Sequence, residues 1–193
     1  MTPRRPFVLL SRSKGAARTA MIAILGLVSA TVVPDASAQV AAPSKPPACA
    51  SPEHRQFDFW VGTWDVFGPA GRKVGTNRIE LIADGCALLE QWTGSGNVTG
   101  KSLNIYDVTD GRWHQTWVDN GGTLLMLAGG LVDRSMVMSM TGPSPTDPKA
   151  TVVQRITWTP ASDGSVRQLW ELSSDAEKSW TVLFDGRYMR AAR

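Results

Sequence analysis

Short strand-like segments separated by turn residues dominate the chain after residue 60. The segments are rich in Val, Ile, Thr and aromatic residues, and no long stretch has the apolar period of a helix. Asp-Gly pairs at 84–85, 110–111 and 163–164 readily adopt the positive φ of tight hairpins. We predict an all-β domain of about ten strands. Their predicted ranges are 61–67, 76–83, 87–93, 102–107, 113–119, 123–128, 135–141, 152–159, 166–173 and 180–187.

A meander of antiparallel strands exposes two unpaired edges, and closing it into a barrel removes both. We therefore predict a single antiparallel up-and-down β-barrel over residues 53–193. Residues 53–59 are expected to form a helical turn that closes one barrel end, because Ser51-Pro52-Glu53 is a plausible start signal for it. The Pro-rich segment 142–148 is predicted to be a surface loop.

The first 38 residues have the layout of an export signal. Basic residues precede an apolar run over 20–33, and Ala36-Ser37-Ala38 then matches the small-x-small pattern of a signal peptidase site. The run is shorter than the roughly 20 residues that a spanning helix needs. We predict cleavage after Ala38, no stable membrane anchor and a periplasmic or secreted protein. Residues 39–52, rich in Pro, Ala and Ser, are predicted to form a flexible N-terminal arm.

Removal of this leader changes the charge of the protein. The leader holds five of the 20 basic residues and one of the 17 acidic residues, which leaves 15 basic and 16 acidic residues in the mature chain. Such a balance does not predict the basic surface that nucleic-acid binding requires, so we predict no nucleic-acid partner.

Both cysteines, Cys49 and Cys86, lie in the predicted mature chain. In an oxidising compartment a pair of cysteines is more often bridged than free, and the two do not form a Cys-x-x-Cys motif. We predict a Cys49–Cys86 disulfide that ties the N-terminal arm to the start of a later strand.

Four motifs resemble, in order, those of the DUF1579-like group of exported bacterial proteins: FDFWVGTWDV at 57–66, DGCALLEQW at 84–92, SLNIYD at 102–107 and WHQTWVD at 113–119. The resemblance covers residues 53–190 and implies a lipocalin-like barrel and an exported location, but no catalytic residues.

Gly62-Thr63-Trp64, at the head of the first strand, is also similar to the start of lipocalins and other calycins. That likeness implies that Trp64 packs across the closed end of the barrel, against Arg187 or Arg190 of the last strand.

The predicted architecture is also similar to the ten-stranded nitrobindin type of barrel, which holds haem through a histidine near the C-terminal end. The histidines of this chain are His54 and His114, and neither lies near that end. We therefore predict no haem, and no other cofactor or metal.

Strand alternation places aromatic and polar side chains on shared faces. A cavity with aromatic walls and a few polar anchors suits a small ligand, although tryptophans on strands are also common core residues. With eight tryptophans in the chain, a narrow barrel cannot pack all of them, and some are expected to line a cavity mouth or the outer face. The predicted walls are Trp92, Tyr106, Trp117, Trp158 and Trp170, and the predicted orienting groups are Glu90, Asn104, Gln115 and Arg155.

Catalytic motifs are absent from the sequence: there is no Gly-x-Ser-x-Gly, no histidine pair at ligand spacing and no phosphate-binding loop. The remaining candidates are His114 and an acid/base pair of Glu90 with Glu171. The two glutamates could equally lie on a solvated strand face or pair with Arg155 or Arg167. The sequence therefore favours noncovalent binding of a small apolar or amphipathic molecule. An enzyme on the same barrel and a ligand-free protein of the cell envelope remain the alternatives.

Overall fold

The structure, a computed structural model, describes residues 49–192. The predicted export signal and residues 39–48 of the predicted arm lie outside this range. The ten strands are β1 Gly62–Phe67, β2 Lys73–Ile82, β3 Ala87–Gly94, β4 Thr99–Asp107, β5 Arg112–Asp119, β6 Leu124–Val132, β7 Ser135–Pro143, β8 Thr151–Pro160, β9 Val166–Ser173 and β10 Thr181–Arg190. Three short 3₁₀ turns cover Pro52–Arg55, Asp58–Trp60 and Ala83–Gly85.

All ten strands form one closed antiparallel barrel in which each strand pairs with its neighbours in the chain. The barrel closes where β1 pairs with β10, with Trp64 opposite Arg190. The predicted all-β, up-and-down barrel is therefore confirmed. No helix within residues 49–192 is long and apolar enough to cross a membrane.

Several strands extend beyond their predicted ends. The sequence prediction ended the sixth strand before Gly129-Gly130, but β6 continues to Val132. Gly129 pairs with Trp113 and Met138, and a Cβ atom at this position would collide with the backbone of Val137. The glycine therefore permits close approach of two strands here rather than ending one.

The segment before β1 closes one end of the barrel, as its helical start signal predicted. Phe57 and Trp60 are fully buried and stack with their ring centroids 4.9 Å apart. Phe57 also meets the edges of Trp113 and Trp158, which face inward from β5 and β8. We call the end of the barrel that these rings fill the closed end. The opposite end, which carries the β3–β4, β5–β6 and β9–β10 turns, is the open end.

Trp64 supports the closed end through its contact with an arginine of the last strand. The guanidinium of Arg190 lies 3.9 Å from the Trp64 ring centroid, and its Nη1 donates to the Val61 carbonyl at 2.7 Å. Gly62, at φ +147°, leaves the space that this guanidinium occupies. Arg187 instead pairs with exposed Asp163 at 2.6 Å, so Arg190 is the partner of Trp64.

Loss of the Arg190 side chain is expected to destabilise the barrel. Arg190→Ala removes a cation–π contact and a hydrogen bond from a charged donor, which together contribute about 1–2 kcal/mol. Arg187→Ala is the matched control, since an exposed ion pair contributes little. Urea denaturation of both variants measures the difference; equal losses would show that the Arg190 contact has no structural role.

The predicted disulfide is present. Cys49 and Cys86 are bonded, with their Cα atoms 5.0 Å apart, and they join the chain before the first 3₁₀ turn to the residue preceding β3. The bond closes a loop around the β1–β2 hairpin and restricts the unfolded chain. Disulfides of this kind are typical of an oxidising, exported environment.

Candidate functional site

A cavity of about 220 Å³ opens at the open end of the barrel. We call it the open-end cavity. Its wall is mainly aromatic and aliphatic. Four polar side chains, those of Glu90, Gln115, Gln168 and Tyr188, lie deep in the cavity, and the carboxylate of Asp119 lies near the rim. Its lining residues are Glu90, Trp92, Val98, Gln115, Trp117, Asp119, Leu125, Ile156, Gln168, Trp170, Leu183, Phe184 and Tyr188.

Two wall tryptophans lie against glycines of neighbouring strands. A Cβ atom on Gly75 of β2 would stand 2.6 Å from the Trp92 ring, and one on Gly100 of β4 would collide with Trp117. Each indole therefore covers a backbone segment that has no side chain of its own, a packing known to support glycines in sheets. These glycines fix the positions of both rings.

Glu90 lies at the floor of the cavity and is only 4% exposed. Asn77 Nδ2 donates to its Oε1 at 2.7 Å, and Ser102 Oγ donates to its Oε2 at 2.6 Å. Both partners come from the strands on either side of β3, where Ile79 and Ser102 are the register partners of Glu90. Strand pairing therefore holds the carboxyl group in one orientation.

Further buried amides extend this network under the cavity. Gln115 Nε2 donates to Asn104 Oδ1 at 2.8 Å, and Asn104 Nδ2 donates to Ser102 Oγ at 2.9 Å. On the other side, Asn77 Nδ2 also approaches the Tyr188 hydroxyl, at 3.3 Å, and that hydroxyl donates to Gln168 Oε1. Polar groups from β2, β4, β5, β9 and β10 thus form one hydrogen-bonded network with Glu90 of β3.

Burial raises the pKa of Glu90 from its ordinary 4.5 to about 7, although the hydrogen bonds from Ser102 and Asn77 lower it in part. Burial, and then the nearby Glu90 charge, hold the pKa of Tyr188 well above its ordinary value. Near neutral pH the cavity floor therefore contains a carboxyl group that gains or loses a proton readily, beside a phenol that stays protonated.

Asp119 supplies a second acidic group, near the rim. Partial burial acts to raise its pKa, but hydrogen bonds from Thr123, Trp117 and Gly121 outweigh that effect and hold the pKa below its ordinary value. Its carboxylate accepts the backbone N–H groups of Gly121 and Thr123 at 2.9 and 3.0 Å. Asp119 therefore keeps its negative charge at neutral pH.

Six of the nine residues predicted as ligand-binding belong to this site. Five of them line the cavity: Glu90, Trp92, Gln115, Trp117 and Trp170. Asn104 lies directly below the cavity floor, where it is fully buried and orients Gln115 through a hydrogen bond.

Two predicted wall residues lie at the closed end instead. Trp158 is fully buried against Phe57 and Trp60, where it fills the core. Tyr106 packs edge-on against His54 of the lead-in segment, with ring centroids 5.2 Å apart. Both side chains point inward, as alternation predicted, but they lie too near the closed end to line the cavity.

Arg155 was predicted to point into the barrel as an orienting group, and this prediction is wrong. Glu171, the candidate acid/base partner of Glu90, pairs with Arg155 instead, which is the alternative that the sequence left open. Arg155 Nη2 pairs with Glu171 Oε2 at 3.1 Å, and its guanidinium lies 3.8 Å from the Trp180 ring centroid. Inward positions on β8 belong to Gln154 and Ile156, so Arg155 lies on the outer face.

His114 is also on the outer face, where its Nε2 lies 2.8 Å from Asp110 Oδ2. Asp107, Asp110 and His114 bring one ligand atom each within 4.8 Å of one another, so this hairpin could hold a metal ion. The same aspartates accept backbone N–H groups of Thr109 and Arg112, which accounts for them as turn-forming residues. The position of His114 separates it from the cavity.

Sequence reasoning missed four polar residues of the site: Asn77, Ser102, Gln168 and Tyr188. Each lies at an inward position of its strand, on the same face as a predicted or core residue. Pairing β2 and β4 in register with Glu90 on β3 would have identified Asn77 and Ser102. Gln168 and Tyr188 belong to β9 and β10, which meet the network only after the barrel closes.

Neither a protein-family model nor a curated protein matches this chain significantly. What the cavity can bind is therefore inferred from its own geometry and chemistry.

Proposed function

We propose that this protein binds a small, at least partly apolar molecule noncovalently in the open-end cavity. The observation that carries the proposal is a buried carboxyl group, Glu90, at the floor of a cavity walled by Trp92, Trp117 and Trp170. Apolar walls supply affinity for a ligand, and a few converging polar groups fix its orientation.

The size of the cavity limits the ligand. An enclosed apolar cavity of roughly 150 Å³ admits benzene, and the open-end cavity has about 220 Å³ with one side open to solvent. A single ring with a short substituent therefore fits inside, and a longer substituent can extend past Asp119 at the rim. Large fused ring systems do not fit wholly inside.

The proposal places this binding protein outside the cytoplasm. The leader-like residues 1–38 and the disulfide between Cys49 and Cys86 support export and cleavage after Ala38. Membership of the DUF1579-like group, based on the FDFW start and the three motifs after it, belongs to the same proposal.

Filling the cavity tests this function. In Ile156→Phe the added ring enters the open-end cavity, because Ile156 lines it. We expect the variant to bind small aromatic amines, alcohols and carboxylates at least about tenfold more weakly than the native chain. Native mass spectrometry and tryptophan fluorescence measure the binding.

The control for this experiment is Leu103→Phe, which places the same ring on the outer face, where Leu103 is 53% exposed. Binding that survives in Ile156→Phe, or that falls equally in both variants, would contradict a cavity site. A native chain that retains no ligand and responds to no compound would favour the ligand-free envelope protein.

A second candidate, an acid/base enzyme, is favoured by one observation: the pKa of Glu90 is raised to about 7 inside the cavity. A group with this pKa accepts and donates protons at neutral pH. Chemical conversion of a bound compound in the mass-spectrometry samples would favour the enzyme, and unchanged masses favour the binding protein.

A further inference from the structure

All the ionisable side chains that line the open-end cavity are acidic. Its ionisable lining groups are Glu90, Asp119 and the phenol of Tyr188, and its lining residues include no lysine, arginine or histidine. Arg155, which was predicted to orient the ligand, is held on the outer face by Glu171. An anionic ligand would therefore meet two carboxyl groups and no compensating cation.

The ionised Glu90 side chain lacks a countercharge. Its two hydrogen-bond partners, Asn77 and Ser102, are neutral, and each donates to one oxygen. A carboxylate can accept about four hydrogen bonds, so each oxygen keeps acceptor capacity, and Glu90 is itself part of the cavity lining. A positively charged donor in the cavity would compensate a charge that is otherwise costly to bury.

The walls around Glu90 suit a cation as well. Three indoles, Trp92, Trp117 and Trp170, and the ring of Phe184 line the same cavity. Aromatic faces attract ammonium groups, most strongly where water is excluded, and indole is the best of them. The same rings supply apolar contact for the rest of the ligand.

We infer that the open-end cavity takes a small organic cation, an amine with an aromatic or branched aliphatic body, whose ammonium group binds the Glu90 carboxylate. The inference rests on the proposed binding function and adds the chemical class of its ligand. Asp119 at the rim attracts the cation toward the cavity.

The proton on Glu90 gives this ligand class a distinct pH dependence. An ammonium group requires the ionised carboxylate, so its affinity rises as pH increases through the pKa of Glu90, about 7. A neutral acceptor requires the protonated carboxyl, so its affinity falls over the same range. Asp119 stays ionised and Tyr188 stays neutral throughout, and the facing groups Asn77, Ser102, Gln115 and Gln168 carry no charge.

Three probes of similar size test the inference: 2-phenylethylamine, 2-phenylethanol and 3-phenylpropanoate. We expect the amine to bind most tightly in tryptophan-fluorescence titrations, and about tenfold more tightly at about pH 8 than at about pH 6. In Glu90→Gln the amine should lose at least about tenfold in affinity together with this pH dependence. Binding of 2-phenylethanol to that variant should persist.

The control for charge is Glu171→Gln, which removes a carboxylate from the outer face and should leave amine binding unchanged. Binding of the alcohol or the carboxylate without the amine overturns the cationic ligand class and leaves the binding function standing. If no probe binds and the purified chain retains no ligand, both fail. Equal amine affinity in the native chain and Glu90→Gln also overturns the inference.

Discussion

Glu90→Gln is expected to increase the stability of the barrel above neutral pH. The pKa of this carboxyl rises from 4.5 to about 7 on folding. Between these values the folded protein binds more protons than the unfolded chain, so the free energy of unfolding falls as pH increases from about 4.5 and levels off above about 7. A shift of this size corresponds to about 3 kcal/mol. Glutamine removes the penalty because it is never ionised.

The network can accept glutamine. Asn77 Oδ1 is buried and has no hydrogen-bond partner among the described residues. If the Asn77 amide turns over, that oxygen accepts from the new Gln Nε2, while the Gln Oε1 still accepts from Ser102 Oγ. The variant therefore keeps both contacts of Glu90 but loses the contact between Asn77 Nδ2 and the Tyr188 hydroxyl, so the gain at high pH stays below the full electrostatic penalty.

Urea denaturation of the native chain and Glu90→Gln at about pH 5 and about pH 8 measures the effect. We expect nearly equal stabilities at the lower pH and a more stable variant at the higher pH, by up to about 3 kcal/mol. Glu171→Gln, on the outer face, should keep the native pH dependence. A native protein whose stability does not fall between the two pH values would contradict a buried, charge-penalised Glu90.

Trp60→Ala is expected to destabilise the barrel by about 3–5 kcal/mol. Trp60 is fully buried, stacks on Phe57 at 4.9 Å and lies 5.4 Å from the Trp158 ring. Removing it leaves a void at the closed end that the surrounding strands cannot fill, because their backbone positions are set by the closed sheet.

The midpoint of urea denaturation tests this prediction, with Trp180→Ala as the control. Trp180 lies outside the barrel core, under the Arg155 guanidinium, so its loss should cost much less. Equal losses in the two variants would show that the lead-in segment does not seal the closed end.

Local chemistry was enough to predict the ten strands, and the two unpaired edges of such a meander predicted their closure into a barrel. Turn pairs such as Asp110-Gly111 mark hairpins whatever the rest of the chain does, because their backbone conformation is a local property. Strand ends were less predictable, since β6 continues through Gly129 only because the paired backbones of β5 and β7 approach it.

The candidate site was predicted in part. Strand alternation assigned Glu90, Trp92, Gln115 and Trp117 to the inward face, and the structure places them in the cavity. The same rule excludes Arg155, which lies three residues from Trp158 on one strand and points to the opposite face.

Trp158 shows a second limit of prediction from strand alternation. Alternation gives the face of a strand but not the depth along the barrel axis. Whether an inward ring joins the closed-end core or the cavity depends on which end its neighbouring turn occupies and on the lead-in segment that fills that end. The long-range partners of Glu90 were hidden for a related reason: Tyr188 reaches Asn77 across 111 positions of the chain.

The most direct test of a ligand site at the open end is an NMR titration that follows the tryptophan indole N–H signals. The chain carries reporters at both ends of the barrel: Trp92, Trp117 and Trp170 line the cavity, whereas Trp60, Trp64, Trp113 and Trp158 belong to the closed-end core. On addition of 2-phenylethylamine or the other two probes, we predict shifts of the three cavity signals and unchanged signals from the closed end. Shifts confined to the closed-end tryptophans, or no shift with any probe, would contradict a ligand site in the open-end cavity.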